Sequence, residues 1–321
     1  MVVKINFEGT AYLSDDDTVL DTLLNNKVSV PYSCKSGVCH CCMMKLVKGE
    51  VSGDGHKGLT EAQINAGFFL PCSCVASSDL VITRADDYSM DQQIKAEVID
   101  KAELSDEIMR IRLKPQGSYN YKPGQFLNLF KDQNTVRSYS LASTPQLPYL
   151  ELHVQRLPNG VVSRWLHDDV AIGDLVHISQ PQGECYYRPG HEQKPILLVA
   201  TGSGLAPLYA VLHQALASGH QGPIHLYHGS SRQSGVYLRD ELKQLASKTL
   251  NFSYTPCLSR DAVSGFTSGR ANEIALEKHP NLKGWLVFVC GHPDMVNDTR
   301  KHAFLAGASF SEIFAEAFKH P

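Results

Sequence analysis

The spacing of the cysteines constrains this 321-residue chain more than any other feature of its sequence. There are nine cysteines, an odd number, and six of them fall between Cys34 and Cys74. Four follow the pattern Cys34-x4-Cys39-x2-Cys42, and 29 residues separate Cys42 from Cys72. This spacing does not fit a framework of disulfide staples, so we expect reduced thiols that hold a metal centre.

Three thiols from one tight loop and a fourth from a distant strand can surround the two irons of a [2Fe–2S] cluster, and this spacing is typical of such clusters. The loop must direct backbone N–H groups at sulfur, which the small residues Ser36 and Gly37 allow. A structural zinc site is the alternative, but zinc prefers paired Cys-x2-Cys knuckles, and only Cys39 and Cys42 have that spacing. We therefore predict a cluster with a reduction potential of roughly −400 mV.

The composition excludes several classes of protein. Hydrophobic residues make up 43% of the chain and charged residues 20%, as in ordinary water-soluble folds. The net charge of −3 offers no basic surface for nucleic acid. No run of 18 apolar residues could span a membrane, and the first residues lack the charged and apolar regions of a signal peptide. We expect a cytoplasmic protein of two or three domains.

The hydrophobic pattern changes twice along the chain, which predicts domains over residues 1–88, 91–190 and 191–321. A polar linker is expected over Arg84–Gln93. Short strands separated by turns predict an antiparallel barrel in the second domain. In the third, strands alternate with helices, which is typical of a parallel sheet that binds a nucleotide. Its helices are expected over Leu205–Ala217, Leu238–Ala246 and Asp294–Leu305.

A second motif, Arg137-Ser138-Tyr139-Ser140, lies on a predicted strand of the barrel. An arginine offers a fork of donors to a pyrophosphate, a tyrosine offers a flat face to a ring, and a serine hydroxyl can reach a ring nitrogen. These residue types in this order could hold a flavin. Taken alone, the same tetrapeptide could equally be an ordinary polar strand.

A glycine turn over residues 201–207 links a predicted strand to a predicted helix, where the backbone can approach a phosphate. It is not the G-x-G-x-x-G fingerprint, because Pro207 stands in place of the third glycine. A second segment, Cys290–Met295, also follows a strand, at the edge where such sheets bind ligands. An isolated cysteine there would more commonly be a buried structural thiol.

These motifs together resemble two known families. The phrases PYSCKSGVCHCC and FFLPCSC resemble the plant-type ferredoxin domain, apart from the unusual pair His40-Cys41. The R-x-Y-S, G-x-x-S and G-x-G-x-A-P motifs resemble the ferredoxin–NADP reductase superfamily. The resemblance covers the whole chain and implies three folds in order: an α+β β-grasp [2Fe–2S] ferredoxin domain, an antiparallel β-barrel for the flavin, and an α/β parallel-sheet domain for the nucleotide.

The resemblance also implies roles for single residues. Arg137 would contact phosphate, Tyr139 would pack on the isoalloxazine, and Ser140 would lie near its reactive nitrogen. A pyrophosphate site at Gly160 and Ser163 implies FAD rather than FMN. The remaining flavin and nucleotide contacts implied are Ser138, Arg156, Thr201, Gly202, Gly204, Cys290, Gly291, Glu316 and Phe318. Ser140, Cys290 and Glu316 are the candidate catalytic residues, and the cluster ligands are Cys34, Cys39, Cys42 and Cys72.

The order of the domains is similar to that of reductase components of bacterial multicomponent oxygenases. It implies an oxidoreductase that moves electrons from NADH through FAD and a [2Fe–2S] cluster to a terminal oxygenase. Two alternatives stay open: the same chemistry for another acceptor, such as a sugar-deoxygenation enzyme, or a relay subunit without nucleotide turnover. NADH is expected over NADPH because the Lys and Tyr of plant reductases are absent from Val263–Phe266.

Overall fold

The first folded unit is a five-stranded mixed sheet with two short helices. In the computed structural model, which describes residues 2–85 and 93–318, its strands lie in the order β2-β1-β5-β3-β4. β1 and β5 are parallel and the other pairs are antiparallel. The elements are β1 (Val2–Phe7), β2 (Thr10–Asp15), α1 (Val19–Asn25), β3 (Met44–Lys48), α2 (Glu61–Asn65), β4 (Phe68–Phe69) and β5 (Leu80–Arg84).

The acidic triplet Asp15–Asp17 predicts a helix from Thr18 to Leu24, and α1 starts one residue later, at Val19. Thr18 is the N-cap, and its hydroxyl accepts a hydrogen bond from the backbone N–H of Asp21. The acidic triplet lies before this cap, with Asp15 ending β2 and Asp16 in the left-handed region at φ 58°. Local capping chemistry therefore sets the start of the helix more closely than the charge pattern does.

The second unit is an antiparallel barrel of six strands in the order β10-β7-β6-β11-β8-β9. A bridge between Leu141 and Leu152 joins its two edges and closes it. Every residue of β8 is buried, because the barrel core covers one face of this strand and the cysteine loop covers the other. The elements are β6 (Ile94–Glu103), β7 (Ile108–Pro115), β8 (Phe126–Phe130), β9 (Val136–Ser140), β10 (Leu150–Gln155), α3 (Val161–Asp168) and β11 (Leu175–Ile178).

The third unit is a fully parallel sheet in the order β15-β14-β13-β12-β16-β17, with its helices between strands as the sequence predicts. The chain leaves β12 in one direction and returns to its other side at β16, which creates a switch point at their carboxyl ends. The elements are β12 (Ile196–Thr201), α4 (Leu205–Ala217), β13 (Ile224–Ser230), α5 (Arg239–Lys248), β14 (Phe252–Leu258), β15 (Thr267–Ser268), α6 (Ala271–Lys278), β16 (Leu286–Gly291), α7 (Pro293–Leu305) and β17 (Ile313–Ala317).

The three sheets confirm the predicted succession of fold classes, while the exact domain limits stay predictions. Residues 86–92, which make up most of the expected linker Arg84–Gln93, lie outside the described residues. Within the described ranges, none of the helices has both the length and the apolar character needed to cross a membrane.

Candidate functional site

The cysteine loop directs backbone donors at sulfur, as the spacing predicts. The Sγ of Cys34 accepts from the N–H groups of Ser36 at 3.4 Å and Cys39 at 3.3 Å. In return, the N–H of Cys34 donates to Cys39 Sγ at 3.4 Å. Gly37 has φ +75°, and a Cβ there would lie 2.7 Å from the hydroxyl of Ser73, beside the fourth predicted ligand. Glycine is therefore required where the loop passes this close to the distant cysteine.

The four thiols fall into two pairs. Cys34 and Cys39 interact directly, and Cys42 shares a hydrogen bond with Cys72 that raises the pKa of Cys42 and lowers that of Cys72. Among residues 2–85 and 93–318, no group of three or more His, Cys, Asp or Glu has the geometry of a single-ion site. Two facing pairs of thiols with N–H donors on sulfur fit a two-iron cluster better than one zinc ion.

The cluster loop packs directly on the flavin barrel. Cys39 and Cys41 are buried against Phe126, Phe130 and Val136 of β8 and β9. We call this contact the cluster junction. Cys41, which the sequence leaves without a role, is the thiol that fills the centre of this apolar contact.

The R-S-Y-S strand, β9, contacts the cysteine loop through its first two residues. The guanidinium of Arg137 donates to the carbonyl of Tyr32 at 3.0 Å and to that of Val136 at 2.7 Å. The N–H of Ser138 donates to the hydroxyl of Ser33 at 2.9 Å. The guanidinium is thus held by carbonyls of the first unit and of its own strand, so a contact between Arg137 and phosphate stays a prediction.

The last residue of the motif reaches the third unit instead. The hydroxyl of Ser140 donates to Oε2 of Glu316 at 3.2 Å, across 176 residues of sequence. Burial raises the pKa of Glu316 to about 8, and the hydrogen bond from Ser140 only partly opposes this. Oε1 of Glu316 is shielded from solvent without a partner. Two of the three candidate catalytic residues therefore meet, and one carboxyl oxygen is free for a ligand.

The third candidate, Cys290, lies at the end of β16 and contacts a cysteine that the sequence analysis missed. Its Sγ is 3.5 Å from Sγ of Cys185, and both residues are buried. Burial, followed by the contact with Cys185, raises the pKa of Cys290 well above its ordinary value. The contact with Cys290 lowers the pKa of Cys185, but burial raises it overall, so both thiols are neutral at pH 7.

The glycine turn and the Cys290 segment form one loop cluster at the switch point. Any Cβ on Gly204 would collide with the carbonyl of Cys290, and Gly291 has φ +128° with Thr201 against it. The hydroxyl of Thr201 accepts from the N–H of His292 at 2.9 Å. The backbone surface that remains is the kind that a dinucleotide approaches closely.

Other predicted contacts surround this cluster. The N–H of Phe318 donates to the carbonyl of Gly291 at 2.7 Å, which brings the segment after β17 to the same edge. The carbonyl of Gly202 accepts from Nε2 of His228 at 3.2 Å, and His228 is completely buried. Because a carbonyl only accepts, this His228 nitrogen carries the proton. The sequence motifs do not include His228.

The predicted pyrophosphate site lies at the start of α3. Gly160 is the N-cap of this helix and supplies no side-chain cap, so the first N–H groups are open to an anion. The hydroxyl of Ser163 interacts with the carbonyl of Gly160 at 3.4 Å. Arg156 pairs with Asp168 at 2.6 Å, so its contact with phosphate, like that of Arg137, stays a prediction.

A buried polar network joins the barrel to the third unit and was not predicted. Nε2 of His153 is 3.2 Å from Glu151, and its Nδ1 is 3.0 Å from the hydroxyl of Tyr237. Glu151 also accepts from Nε of Arg112 at 2.7 Å. We call this contact the nucleotide junction. The only sequence signal for it is the placing of Glu and His within the otherwise apolar strand β10.

Comparison with known proteins agrees with the three units. Residues 3–77 match the model of the 2Fe-2S iron-sulfur cluster binding domain, residues 95–187 the oxidoreductase FAD-binding domain, and residues 198–301 the oxidoreductase NAD-binding domain. These ranges cover the predicted cluster ligands, the R-S-Y-S strand and the glycine turn respectively.

Relatives and solved structures share this arrangement over nearly the whole chain. The ferredoxin–NAD(P)(+) reductase component of the naphthalene 1,2-dioxygenase/salicylate 5-hydroxylase systems of Ralstonia sp. is 30% identical over 94% of this chain and 93% of its own. The CDP-6-deoxy-L-threo-D-glycero-4-hexulose-3-dehydrase reductase of Yersinia pestis is 30% identical over 98% of each. The crystal structure of the Amycolatopsis cytochrome P450 reductase GcoB superposes with a TM-score of 0.70, at 27% identity over 98% of each chain.

Proposed function

This chain belongs to the ferredoxin–NAD(P)(+) reductase superfamily, in the group with an N-terminal [2Fe–2S] domain, and from that premise we propose that it supplies electrons to a terminal oxygenase component. It is an NAD(P)H-dependent flavin and iron–sulfur oxidoreductase. Its relatives serve different acceptors, among them oxygenase systems and a sugar dehydrase. The identity of the electron acceptor, a terminal oxygenase, is therefore the part of the function that we propose.

The electron route is supported by the double contact of β9, and the choice of an oxygenase as acceptor is supported by the relatives from oxygenase systems. Ser138 contacts the cysteine loop, and Ser140 contacts Glu316 of the third unit. Residues two apart on a strand lie on one face, about 7 Å from each other. A single short strand thus borders both the site where electrons enter and the site from which they leave.

The residues at the entry site can orient and shield a reacting ring. FAD, when bound, accepts a hydride from NAD(P)H as two electrons and can release them singly to the cluster. The Ser140 hydroxyl would donate to a ring nitrogen of the bound flavin. Because its pKa is raised to about 8, the Glu316 carboxyl holds its proton at pH 7 and adds a second donor without adding charge. Buried Cys290 helps to exclude water from the same place.

A direct electron-transfer assay tests the acceptor. The protein is reduced anaerobically with NADH, mixed with a purified terminal oxygenase component, and the oxygenase spectrum is followed in a stopped-flow instrument. We expect single-exponential reduction of the oxygenase, and faster reduction of it than of a sugar 3-dehydrase. Rapid reduction of the dehydrase with no reduction of any oxygenase would contradict the proposal and favour the sugar-deoxygenation role.

NADH is the proposed donor. Arg232 and Arg260 flank the carboxyl ends of β13 and β14 and could hold a 2′-phosphate, but Asp261 lies between these loops and accepts from the N–H of Gln233 at 3.2 Å. A carboxylate at this edge favours a free ribose 2′-hydroxyl over a phosphate. We expect a higher kcat/KM for NADH than for NADPH, and a smaller ratio in Asp261→Asn. A higher kcat/KM for NADPH in the unaltered protein would reverse the assignment.

The cytoplasm is the proposed location. All nine cysteines are free thiols in the structure, and a cluster held by thiolates persists best in a reducing compartment. NAD(P)H is also supplied there. Cell fractionation with an antibody against this protein should recover it with cytoplasmic markers, and recovery in a periplasmic or secreted fraction would exclude this location.

A further inference from the structure

Asn128 is the one polar residue of strand Phe126–Phe130, and it is completely buried. A buried amide must be hydrogen-bonded at both ends to be tolerated in a core. Its Nδ2 donates to the carbonyl of Cys39 at 3.0 Å, across 89 residues of sequence. Its Oδ1 lies 2.7 Å from the hydroxyl of Ser138. One end of this side chain therefore binds a predicted cluster ligand, and the other binds the flavin strand.

Ser138 extends the contact to the other side of the cysteine loop. Its hydroxyl is 3.0 Å from that of Ser33, and its N–H donates to the same oxygen at 2.9 Å. Asn128 and Ser138 face each other in the β8–β9 register, and Ser33 directly precedes Cys34. The pair of strands thus holds the loop at two points, one next to Cys34 and one at Cys39.

The apolar surroundings leave these polar groups without water as an alternative partner. Phe126, Phe130 and Val136 exclude water from the cluster junction, so a polar group there has only protein partners. The carbonyl of Cys39 receives the amide of Asn128 and, at 3.6 Å, the weak thiol donor of Cys41. Asn128 is therefore the principal group that fixes the orientation of the Cys39 peptide.

We propose that Asn128 is a positioning residue for electron exit: it fixes the Cys39 side of the cluster against the flavin strand and so sets the rate of electron transfer from flavin to cluster. The inference rests on the proposed function, because it requires that the four cysteines hold the cluster. It assigns Asn128 no part in hydride entry, since its side-chain bonds end on Cys39 and Ser138. The entry site is bordered instead by Ser140 and Glu316. Entry and exit rates should therefore separate in a variant.

The test is Asn128→Leu, which keeps the side-chain size and removes both hydrogen bonds. In anaerobic stopped-flow mixing with NADH, flavin reduction should stay within about two-fold of the unaltered protein. Reduction of the cluster should slow by on the order of 10-fold to 100-fold, because small displacements of reacting groups have effects of this size. The EPR g-values of the dithionite-reduced cluster should also shift, since bonds around a ligand tune the centre.

The matched control is Asn134→Leu. Asn134 accepts from Arg84 at 3.2 Å, which also joins the first unit to the barrel but touches no predicted ligand. This variant should keep both rates and the EPR spectrum. Equal slowing in Asn128→Leu and Asn134→Leu would show general loosening of the junction and overturn the inference, as would an unaltered rate and spectrum in Asn128→Leu.

A second variant, Asn128→Ala, is used if Asn128→Leu does not take up the cluster. It removes both hydrogen bonds without placing a branched apolar side chain against the cysteine loop. Slower cluster reduction with normal flavin reduction supports the inference, and an unaltered cluster rate overturns it. Absence of a reducible cluster from the unaltered protein would instead contradict the proposed function, so the two failures are distinguishable.

Discussion

At the cluster junction the barrel presents Phe126, Phe130 and Val136 to buried thiols, whereas at the nucleotide junction β10 presents Glu151 and His153 to Tyr237. The first contact is apolar, with few hydrogen bonds beside it. The second is rich in titratable groups. Both form with the same barrel, so the difference reflects what has to cross each junction.

Electron transfer requires only a short, fixed distance between the flavin and the cluster. A contact without water and with few hydrogen-bond donors can hold the two units in place. We propose that the dinucleotide enters and leaves beside the nucleotide junction, where polar groups tolerate water. A cleft of about 690 Å³ opens at this second junction, between residues 103–106 of the barrel and residues 233–241 beside α5. The hydroxyl of Ser234 spans it to Glu107 at 3.0 Å. The barrel therefore has a rigid contact at the cluster junction and an open one at the nucleotide junction.

The largest expected effect comes from removing a cluster ligand. Cys39→Ala should abolish the visible absorption of the cluster and the EPR signal of its reduced state, because the remaining three thiols cannot complete two four-coordinate irons. Ferricyanide should still be reduced with NADH, whereas reduction of cytochrome c should fall to background. Cys74→Ala removes a buried thiol that is not a predicted ligand and should keep the cluster. Two irons with a normal spectrum in Cys39→Ala would refute the ligand set.

The next test removes the cluster junction altogether. A fragment starting near Asp91, a residue outside the described ranges, should bind FAD and reduce ferricyanide with NADH at nearly the intact rate, because the flavin and nucleotide residues all follow it. It should fail with cytochrome c, for which the cluster is the exit. The fragment exposes Phe130 and Val136, which are buried in the intact chain, so a lower melting temperature is expected. Cytochrome c reduction at the full rate would contradict the division between the two junctions.

A pH series on Glu316→Gln tests the entry site. Burial raises the pKa of Glu316 from 4.5, its ordinary value, to about 8 in the folded protein. The stability that this carboxyl contributes is therefore full below pH 4.5 and is lost as the pH rises through 8. The loss is of the order of a few kcal/mol, since each pKa unit corresponds to about 1.4 kcal/mol. Melting temperatures between pH 5 and pH 9 should fall less steeply in Glu316→Gln. Exposed Glu277→Gln is the control and should follow the unaltered protein.

The smallest effect is expected at the nucleotide junction. Tyr237→Phe leaves the Nδ1 of buried His153 without its partner, which should lower the free energy of unfolding by about 1–2 kcal/mol in urea titrations. Tyr254→Phe is the matched control, because the hydroxyl of Tyr254 is buried without a partner and its removal should be neutral or stabilising. If both variants lose equal stability, the hydrogen bond to His153 contributes nothing specific.

The sequence predicts those parts of the site that are local. The cysteine loop, β9 and the glycine turn each depend on residues within one segment, so their spacing was enough to recognise them. The contact between Cys185 and Cys290 joins residues 105 apart, and that between His153 and Tyr237 joins residues 84 apart. Such contacts depend on how the three units pack together. The hydrophobic pattern within one segment carries no information about this packing. Asn128 stands out in the sequence as a polar residue inside an apolar strand, but no sequence pattern indicates that its partner is Cys39.

Two of the bonds from the barrel to the cysteine loop end on main-chain carbonyls. Arg137 donates to the carbonyl of Tyr32, and Asn128 donates to that of Cys39. Because every amino acid presents the same carbonyl, substitutions on the outer surface of the first unit leave these bonds unaffected. The surface that meets an acceptor can therefore change in sequence without loss of these bonds. The same reductase fold can in this way serve different electron acceptors.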